Sequence, residues 1–362
     1  MRRLRAPMYF LIMIITGQIV GISACKVSDV PPNLNAEAFR EITGKLRKEC
    51  QLAKAEADYR EKIRQEPNNP LWQAALSFIQ GRQDKWEEAE SLARKATQLE
   101  PGEALWHAEL GVSLDGQEKL DEAVNAYQKA LSLETDQARQ HGYRGRILNI
   151  QEKWSEAEIE FKNALRLRPD SASWHNLLGI ALRRQQKVDE AVEHYREGIR
   201  LAPCYAVYYS NLGNVFRDQK KLVEAEAEYQ KALRLTPDHA LVHNNLGLCL
   251  AEQRRFQEAE VECRKAVSLR PQRAFYRNNL GSLLAKRGKN QEAERQLREA
   301  VTLRPKNALY NNDLGIMLTI NKKYGESEKY CQIAVRLRPN IAWYYYNLVI
   351  AHDFEVLNHK IL

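Results

Sequence analysis

The strongest constraint on the fold of this chain is a 34-residue period that runs without insertion or deletion through most of its 362 residues. Residues separated by multiples of 34 repeatedly have the same type. The blocks begin at Ala36, Pro70, Ala104, Ala138, Ala172, Ala206, Ala240, Ala274, Ala308 and Ala342. Self-similarity at a fixed period of this length predicts an array of one supersecondary unit, in which each unit packs on its neighbours.

Two helices are predicted in each block. Positions 4, 7, 8 and 11 of a block have the spacing of one helix face, and positions 20, 24 and 27 form a second stripe. Small residues at positions 8, 20 and 27 let the two helices approach closely beside a bulky position 24. Proline at position 32 ends the second helix. Glycine occupies position 8 in seven consecutive blocks, as Gly111, Gly145, Gly179, Gly213, Gly247, Gly281 and Gly315.

Glutamate recurs at position 19, near the predicted start of the second helix. A negative charge is favoured there because the helix dipole is positive at its amino end. We therefore expect this column to stabilise helix ends rather than to bind a partner. Its members are Glu88, Glu122, Glu156, Glu190, Glu224, Glu258, Glu292 and Glu326.

These columns resemble the tetratricopeptide repeat over residues 36 to about 348. The resemblance implies an all-α fold, a right-handed superhelical solenoid of stacked helix-turn-helix repeats. Nine repeats are expected, at 36–69, 70–103, 104–137, 138–171, 172–205, 206–239, 240–273, 274–307 and 308–341. The first is atypical, with Thr43 and Lys62 in place of the expected small residues, and 342–362 is expected to be a capping helix. Atypical ends are expected because a solenoid must shield its open ends.

The amino terminus has the features of an export signal. Arg2, Arg3 and Arg5 precede an uncharged stretch that ends at Cys25. The segment Ile-Ser-Ala-Cys at 22–25 resembles a bacterial lipobox, which implies cleavage after residue 24 and lipidation of Cys25. Residues 25–35 are then a lipidated tether, and Lys26 favours the outer membrane facing the periplasm. The alternative is an uncleaved signal-anchor helix, which the glycines and glutamine within the stretch disfavour.

The charge distribution does not indicate a nucleic-acid partner. The net charge is +8 and 28% of residues are charged, but acidic and basic residues alternate along the chain. Nucleic-acid binding more often shows a concentrated basic patch. We expect neither nucleic acid nor a small-molecule substrate as a partner.

In the family it resembles, the first helix of each repeat lines the concave surface. That implies a groove formed by positions 2, 5, 6, 9 and 12, with an asparagine-rich wall similar to the asparagine ladder of O-linked N-acetylglucosamine transferases. An asparagine amide both donates and accepts, so such a row is predicted to bind the backbone of an extended peptide. The alternative is that the asparagines only solvate this face. The predicted peptide-binding residues are Asn176, Asn211, Asn214, Asn244, Asn245, Asn278, Asn279, Asn312 and Asn347, with Asp313 beside them and with apolar residues interspersed at Val207, Leu241, Leu248, Phe275, Leu309 and Ile316.

A carboxylate clamp is not favoured on this face. Clamp repeats grip a terminal carboxylate with several Lys and Arg residues. Here the inner positions of the central repeats carry few cations, chiefly Arg183, Arg184, Arg217 and Lys286.

Two groups of residues suggest chemistry and are interpreted as structural. Four histidines share position 4, at His107, His141, His175 and His243. Zinc ligands lie about 2.1 Å from the ion, whereas stacked helices stand about 8–10 Å apart, so four such side chains cannot surround one metal ion. Among the cysteines, the one candidate disulfide is Cys249–Cys263, on facing helices of one repeat.

The sequence therefore predicts a protein-binding scaffold rather than an enzyme. No catalytic motif occurs, no cofactor is expected, and almost every residue after 35 belongs to a repeat. The expected partner is a protein or an extended peptide, with the membrane reached through the lipid. The alternative is the substrate-recruiting arm of an enzyme system, such as an O-linked glycosyltransferase whose catalytic part is on another chain.

Overall fold

The computed structural model describes residues 33–49 and 52–361, and this part of the chain contains nineteen helices and no strand. Their bounds are α1 Asn33–Glu49, α2 Leu52–Gln65, α3 Pro70–Arg82, α4 Trp86–Leu99, α5 Ala104–Gly116, α6 Leu120–Leu133, α7 Gln137–Ile150, α8 Trp154–Leu167, α9 Ala172–Arg184, α10 Val188–Leu201, α11 Ala206–Asp218, α12 Leu222–Leu235, α13 Ala240–Glu252, α14 Phe256–Leu269, α15 Ala274–Lys286, α16 Asn290–Leu303, α17 Ala308–Ile320, α18 Tyr324–Leu337 and α19 Ala342–Ile361. The helices pack as successive pairs, and the all-α solenoid predicted from the period is confirmed. None of the described helices combines the length and apolar character needed to cross a membrane.

The turn between the two helices of a repeat is closed by a residue in the left-handed conformation. Glu152 has φ of 59°, and its amide donates to the carbonyl of Asn149 at 3.1 Å while Lys153 donates to Leu148 at 2.9 Å. This pair of bonds satisfies the last carbonyls of the first helix. The conformation recurs at position 15 of eight successive repeats, and only Gly288 is a glycine there. The left-handed conformation at position 15 is therefore set by the packing of the two helices more than by the type of residue at that position.

Inside each repeat, position 8 and position 24 are matched in size. The Tyr229 ring is fully buried, and a Cβ added to Gly213 would lie 2.8 Å from it. Gly111, Gly145 and Gly179 face Tyr127, Phe161 and Tyr195 in the same way. In the repeat 70–103 a serine, Ser77, replaces the glycine, and the opposite residue is the small Ala93. Close approach of the two helices therefore depends on the pair and not on the glycine alone.

A polar network joins the second helices of neighbouring repeats. Glu158, at position 21, accepts from Lys162 of its own helix at 2.6 Å, and from Gln185 and Lys187 of the next repeat at 2.8 and 2.7 Å. Partial burial acts to raise the pKa of the Glu158 carboxyl, but these hydrogen bonds outweigh it and lower the pKa from 4.5 to about 2. The same arrangement is present at Glu56, Glu90, Glu226, Glu260 and Glu294.

The glutamates at position 19 have partners that the helix dipole alone did not predict. Arg94 bridges Glu90 of its own helix and Glu122 of the next repeat, both at 2.7 Å. Arg298 bridges Glu294 and Glu326 in the same way, at 2.8 and 2.6 Å. Ion pairs between neighbouring repeats therefore add to the favourable position near the helix start.

The first helices lie on the inside of the bend. Helix α11 contacts α13, α13 contacts α15, and α15 contacts α17, whereas no two successive second helices make comparable contact among the described residues. One turn of the superhelix then packs on the next. Phe39 and Phe78 of the first repeats share a core cluster with Tyr205 and Tyr208, and the Arg82 guanidinium lies 4.0 Å from the centre of the Tyr205 ring.

The polar part of this packing is the inter-turn contact, which we define by Asp84 and Glu118 on one side and residues 239–304 on the other. Oδ2 of Asp84 accepts from the Ala240 amide at 3.3 Å and lies 3.6 Å from Arg270. Glu118 lies 3.2 Å from Arg273 and 3.8 Å from Arg304. His239 is buried at this contact, and burial lowers its pKa.

The disulfide expected between Cys249 and Cys263 is wrong, because both are free thiols. Cys249 Sγ points to the previous repeat, where it donates to the carbonyl of Leu222 at 3.3 Å. Cys263 Sγ instead fills the space beside Gly247. Cys204, which is buried next to the inter-turn packing, is disulfide-bonded.

Two further expectations concern the amino-terminal end. Helix α1 begins at Asn33, so the last three residues of the predicted tether are helical rather than extended. Cys25, the predicted lipidation site, lies outside the described residues.

Candidate functional site

The candidate site is the inner face of the superhelix, formed by positions 2, 5, 6 and 9 of the first helices. Its amino-terminal half is filled by the protein itself. Leu71, at position 2 of its repeat, is 5% exposed, and Arg82 lies between the rings of Phe78 and Tyr205. The carboxyl-terminal half, from α13 to α19, keeps apolar side chains exposed. The open part of the face is therefore the carboxyl-terminal half.

The predicted asparagines form a continuous ladder across this face. Each rung joins position 6 of one repeat to position 5 of the repeat before it. Asn211 donates to Asn176 at 2.8 Å, and Asn279 donates to Asn244 at 2.9 Å. The remaining rungs are Asn347 to Asn312 at 2.8 Å, Asn278 to Asp313 at 2.8 Å and Asn245 to Ser210 at 3.5 Å.

These bonds take up part of the donor and acceptor capacity that was predicted to face a guest. The first helices stand close enough on the inside of the bend for one amide to satisfy the next. The bonded residues are 35 positions apart in the sequence. The repeat pattern alone therefore did not predict their contact. Buried members of the row are Asn176, Asn244, Asn245, Asn278, Asn312 and Asn347.

Contact with a guest stays a prediction for all nine asparagines, of which Asn211, Asn214 and Asn279 are half-buried. The Asn214 side chain accepts from the hydroxyl of Tyr229 at 2.8 Å. The row as a whole therefore forms a rigid floor, since its amides are held by protein partners.

An exposed apolar column runs beside this floor. It consists of position 2 in four successive repeats: Leu241 and Phe275 are each 38% exposed, Leu309 is 49% exposed and Trp343 is 56% exposed. We call these four residues the apolar column. Trp343 stacks on Tyr346, with ring centres 5.2 Å apart. Leu241, Phe275 and Leu309 are among the apolar residues predicted for the groove, and the same 34-residue step adds Trp343.

Two of the four predicted inner-face cations, Arg183 and Arg217, pair with acids of the neighbouring repeat. Arg183 Nε lies 2.7 Å from Asp218, and Arg217 lies 3.7 Å from Glu252. Paired guanidinium groups are less available to a guest carboxylate. The geometry therefore gives these arginines a role between repeats.

The position-4 histidines connect each first helix to the loop before it and to the second helix. His243 bonds the Pro237 carbonyl at 2.7 Å and Glu262 at 2.6 Å. His175 bonds the Pro169 carbonyl and His194, at 3.0 and 2.9 Å. Over residues 33–49 and 52–361, no group of three or more potential ligands could hold a metal ion.

Paired helices, an asparagine floor and an exposed apolar column define a repeat scaffold with a binding face. The family model described as tetratricopeptide repeat matches residues 79–142, 144–205 and 278–340, which is more than half of the chain. Two related models match residues 238–306 and 213–254. The chain belongs to the tetratricopeptide-repeat family. None of the curated proteins is significantly similar to it in sequence.

Solved structures share the fold. A chain of the APC/C hetero-tetramer Cut9–Hcn1 is 16% identical with a TM-score of 0.69, over 81% of this chain and 58% of that chain. The human IFIT1 dimer with PPP-AAAA is 17% identical with a TM-score of 0.50, over 80% of this chain and 69% of that chain. This chain thus spans less than two thirds of the Cut9–Hcn1 chain it matches. An architecture made of such repeats is typical of non-catalytic scaffolds.

Proposed function

We propose that this protein is a non-catalytic adaptor of the bacterial envelope that binds an extended segment of another protein along the apolar column. The observation that carries the proposal is the column itself, in which four apolar side chains at the same position of successive repeats stay 38–56% exposed. Exposed apolar residues in a contiguous row are typical of interaction sites. The asparagine floor keeps successive first helices in register beneath it.

The spacing of the column suits an extended guest. Neighbouring helices stand about 8–10 Å apart, and a chain extended in the polyproline II conformation advances about 3.1 Å per residue with three residues per turn. A guest would therefore bring every third side chain onto the next member of the column. Phe275, Trp343 and Tyr346 offer flat apolar surfaces for these side chains.

Attachment to the envelope is proposed from the sequence signal, through lipid on Cys25 and with the protein facing the periplasm from the outer membrane. Several acyl chains on one residue give stable anchoring, at about 0.8 kcal/mol per buried methylene. The disulfide of Cys204 supports export, because disulfides persist in oxidising compartments such as the periplasm. A mass spectrum of the mature amino terminus tests this, and palmitate labelling that survives Cys25→Ala would overturn it.

The groove is tested by photo-crosslinking in intact cells. A photoreactive amino acid at Leu309 is expected to capture one main partner, while the same group at Val261, which is 65% exposed on an outer helix, is not. The double variant Phe275→Ser and Leu309→Ser should lose the partner, and Val223→Ser with Val261→Ser should retain it. Equal loss in both double variants would contradict binding along the column. A transferase as the captured partner would favour the alternative of an enzyme-recruiting arm.

A further inference from the structure

The last helix, α19, leaves open a side that every earlier first helix covers with its own second helix. Positions 4 and 8 lie on that side. His243, at position 4, bonds Glu262 of the second helix at 2.6 Å, and a Cβ added to Gly315, at position 8, would lie 2.5 Å from Sγ of Cys331 in the second helix. Position 8 is accordingly buried in all nine repeats that precede α19.

In α19 the same side is apolar and exposed. The helix does not turn back at position 15, as eight earlier first helices do, but continues as one helix to Ile361 and packs on α17 and α18. Tyr345, at position 4, is 44% exposed, Val349, at position 8, is 56% exposed, and Val356 is 36% exposed. Valine keeps a packed helix further away than glycine does, so this side suits a helix at the ordinary distance of about 8–10 Å.

The exposed residues have the spacing of a seam between two helices. Successive members are four, three and four residues apart, which is the a and d spacing of a helix pair. We call these four residues the end stripe: Tyr345, Val349, His352 and Val356. The Nδ1 atom of His352 lies 3.3 Å from Oε1 of Glu328 in α18. Trp343 of the apolar column lies on nearly the opposite side of the helix, because the two residues between it and Tyr345 correspond to about 200° of rotation.

The end stripe is complementary to a second copy of itself in the opposite direction. A twofold axis between Val349 and His352 sets Tyr345 of one copy against Val356 of the other, and Val349 against His352. Each tyrosine ring then meets a smaller aliphatic side chain, as close packing requires. In a parallel pair, two tyrosines and two histidines would meet instead. The stripe therefore favours the antiparallel pair.

We propose that two copies of this protein associate through α19, with their end stripes packed antiparallel. Apolar side chains that are exposed in one copy leave water when two copies pair. The stripe spans residues 345–356, or about 16 Å of helix, so the dimer is reversible rather than permanent. The apolar column stays open in each copy, because Trp343 lies on the other side of α19. A dimer thus presents two grooves and holds a partner with repeated segments more tightly than one groove does.

Thiol cross-linking of the full chain in detergent tests the direction of pairing. Tyr345→Cys and Val356→Cys, each carrying a different tag, are mixed and treated with a short bis-maleimide. The mixed cross-link should form, whereas Tyr345→Cys alone should give no more product than the unaltered chain, which supplies the background of the native cysteines. Cross-linking of Tyr345→Cys mainly to itself would contradict the antiparallel pair. No mixed product above the background would overturn the association.

Sedimentation equilibrium in density-matched detergent tests the stripe itself. The unaltered chain should show a reversible equilibrium of monomer and dimer. Val349→Arg should raise the dissociation constant about tenfold or more, with helix content by circular dichroism unchanged. The control Ile159→Arg alters an apolar residue that is 61% exposed on α8 and should dimerise as the unaltered chain does.

A monomeric unaltered chain, or equal dissociation constants in the two arginine variants, would overturn the proposal. A photoreactive amino acid at Val349 in intact cells identifies the occupant directly. Capture of a second copy is expected, and capture of a different protein alone would overturn self-association and assign the stripe to that protein.

Discussion

The backbone amide of Ala240 donates a hydrogen bond of 3.3 Å to the carboxylate of Asp84, which lies 156 residues earlier in the chain. No contact within a repeat or between neighbouring repeats requires it. It exists because the superhelix is wound tightly. The turn between α3 and α4, which contains Asp84, therefore reaches the start of α13, where Ala240 lies. Arg270 and Arg273 support the same contact.

Weakening this contact should open the superhelix without unfolding its repeats. In Arg270→Gln with Arg273→Gln, the ion pairs of Arg270 with Asp84 and of Arg273 with Glu118 are lost. We expect a larger radius of gyration by small-angle X-ray scattering, with helix content by circular dichroism unchanged. High salt should act on the unaltered chain in the same direction, since exposed pairs are screened.

The matched control is Arg277→Gln. Arg277 lies in the first turn of α15, four residues after Arg273. It does not take part in the inter-turn contact but bonds Glu299 and the Pro271 carbonyl. Its removal should leave the radius of gyration unchanged. An identical radius in all three proteins would show that the inter-turn contact does not hold the superhelix closed.

The size match between positions 8 and 24 should appear as coupling between mutations. Gly213→Ser places a side chain against the Tyr229 ring and should cost about 1–3 kcal/mol of unfolding free energy. Tyr229→Ala leaves a cavity and should cost about 3–5 kcal/mol. The double variant reproduces the Ser77–Ala93 pair, so urea unfolding should show about 1–2 kcal/mol less destabilisation than the sum. Strict additivity would contradict the match.

Removal of one position-21 carboxylate should destabilise the array. Glu260 is buried and accepts from Arg264, Arg287 and Lys289. Glu260→Gln leaves Arg287 and Lys289 without their charge partner and should cost about 1–3 kcal/mol by urea unfolding. Glu258→Gln, two residues earlier, removes an exposed carboxylate that pairs with Arg255 and should change little. Similar losses in the two variants would argue against the network.

The same carboxylates predict how stability depends on pH. The pKa of Glu158 is lowered from 4.5 to about 2, and those of Glu56, Glu90 and Glu260 are lowered equally. A folded-state pKa below the unfolded one means that the unfolded chain binds more protons between these values. Their stabilisation is therefore complete above about pH 4.5 and is lost as the pH falls toward 2.

Urea midpoints measured at intervals from pH 6 to pH 2.5 should reveal this loss. In Glu158→Gln with Glu260→Gln the decline should be shallower, because two of the carboxyls whose pKa is lowered most are gone. A decline of unchanged steepness would assign the acid sensitivity to other groups.

Most of the fold follows from the sequence because its determinants are local. The 34-residue step places Gly213 opposite Tyr229 and ends each helix near its proline, and both features depend on residues within one repeat. The pitch of the superhelix is not local. It sets how far Asn244 lies from Asn279 and whether Asp84 reaches Ala240, and small rotations between repeats accumulate to decide both.

The candidate site was predicted in part for the same reason. Positions 2, 5 and 6 were assigned to the inner face by the family resemblance, and positions 5 and 6 do bond between successive first helices. The repeat pattern could not show that position 6 bonds position 5 of the repeat before it. Because of these bonds, the asparagines hold successive first helices together.

The bond between Asp84 and Ala240 also limits how this array can change in length. Tandem repeats usually gain or lose whole units easily, because each junction looks like every other. Here, deleting or duplicating a 34-residue unit anywhere between residues 84 and 240 would shift one partner to a different level of the spiral. The number of units between them is therefore constrained by the contacts between the turns of the superhelix.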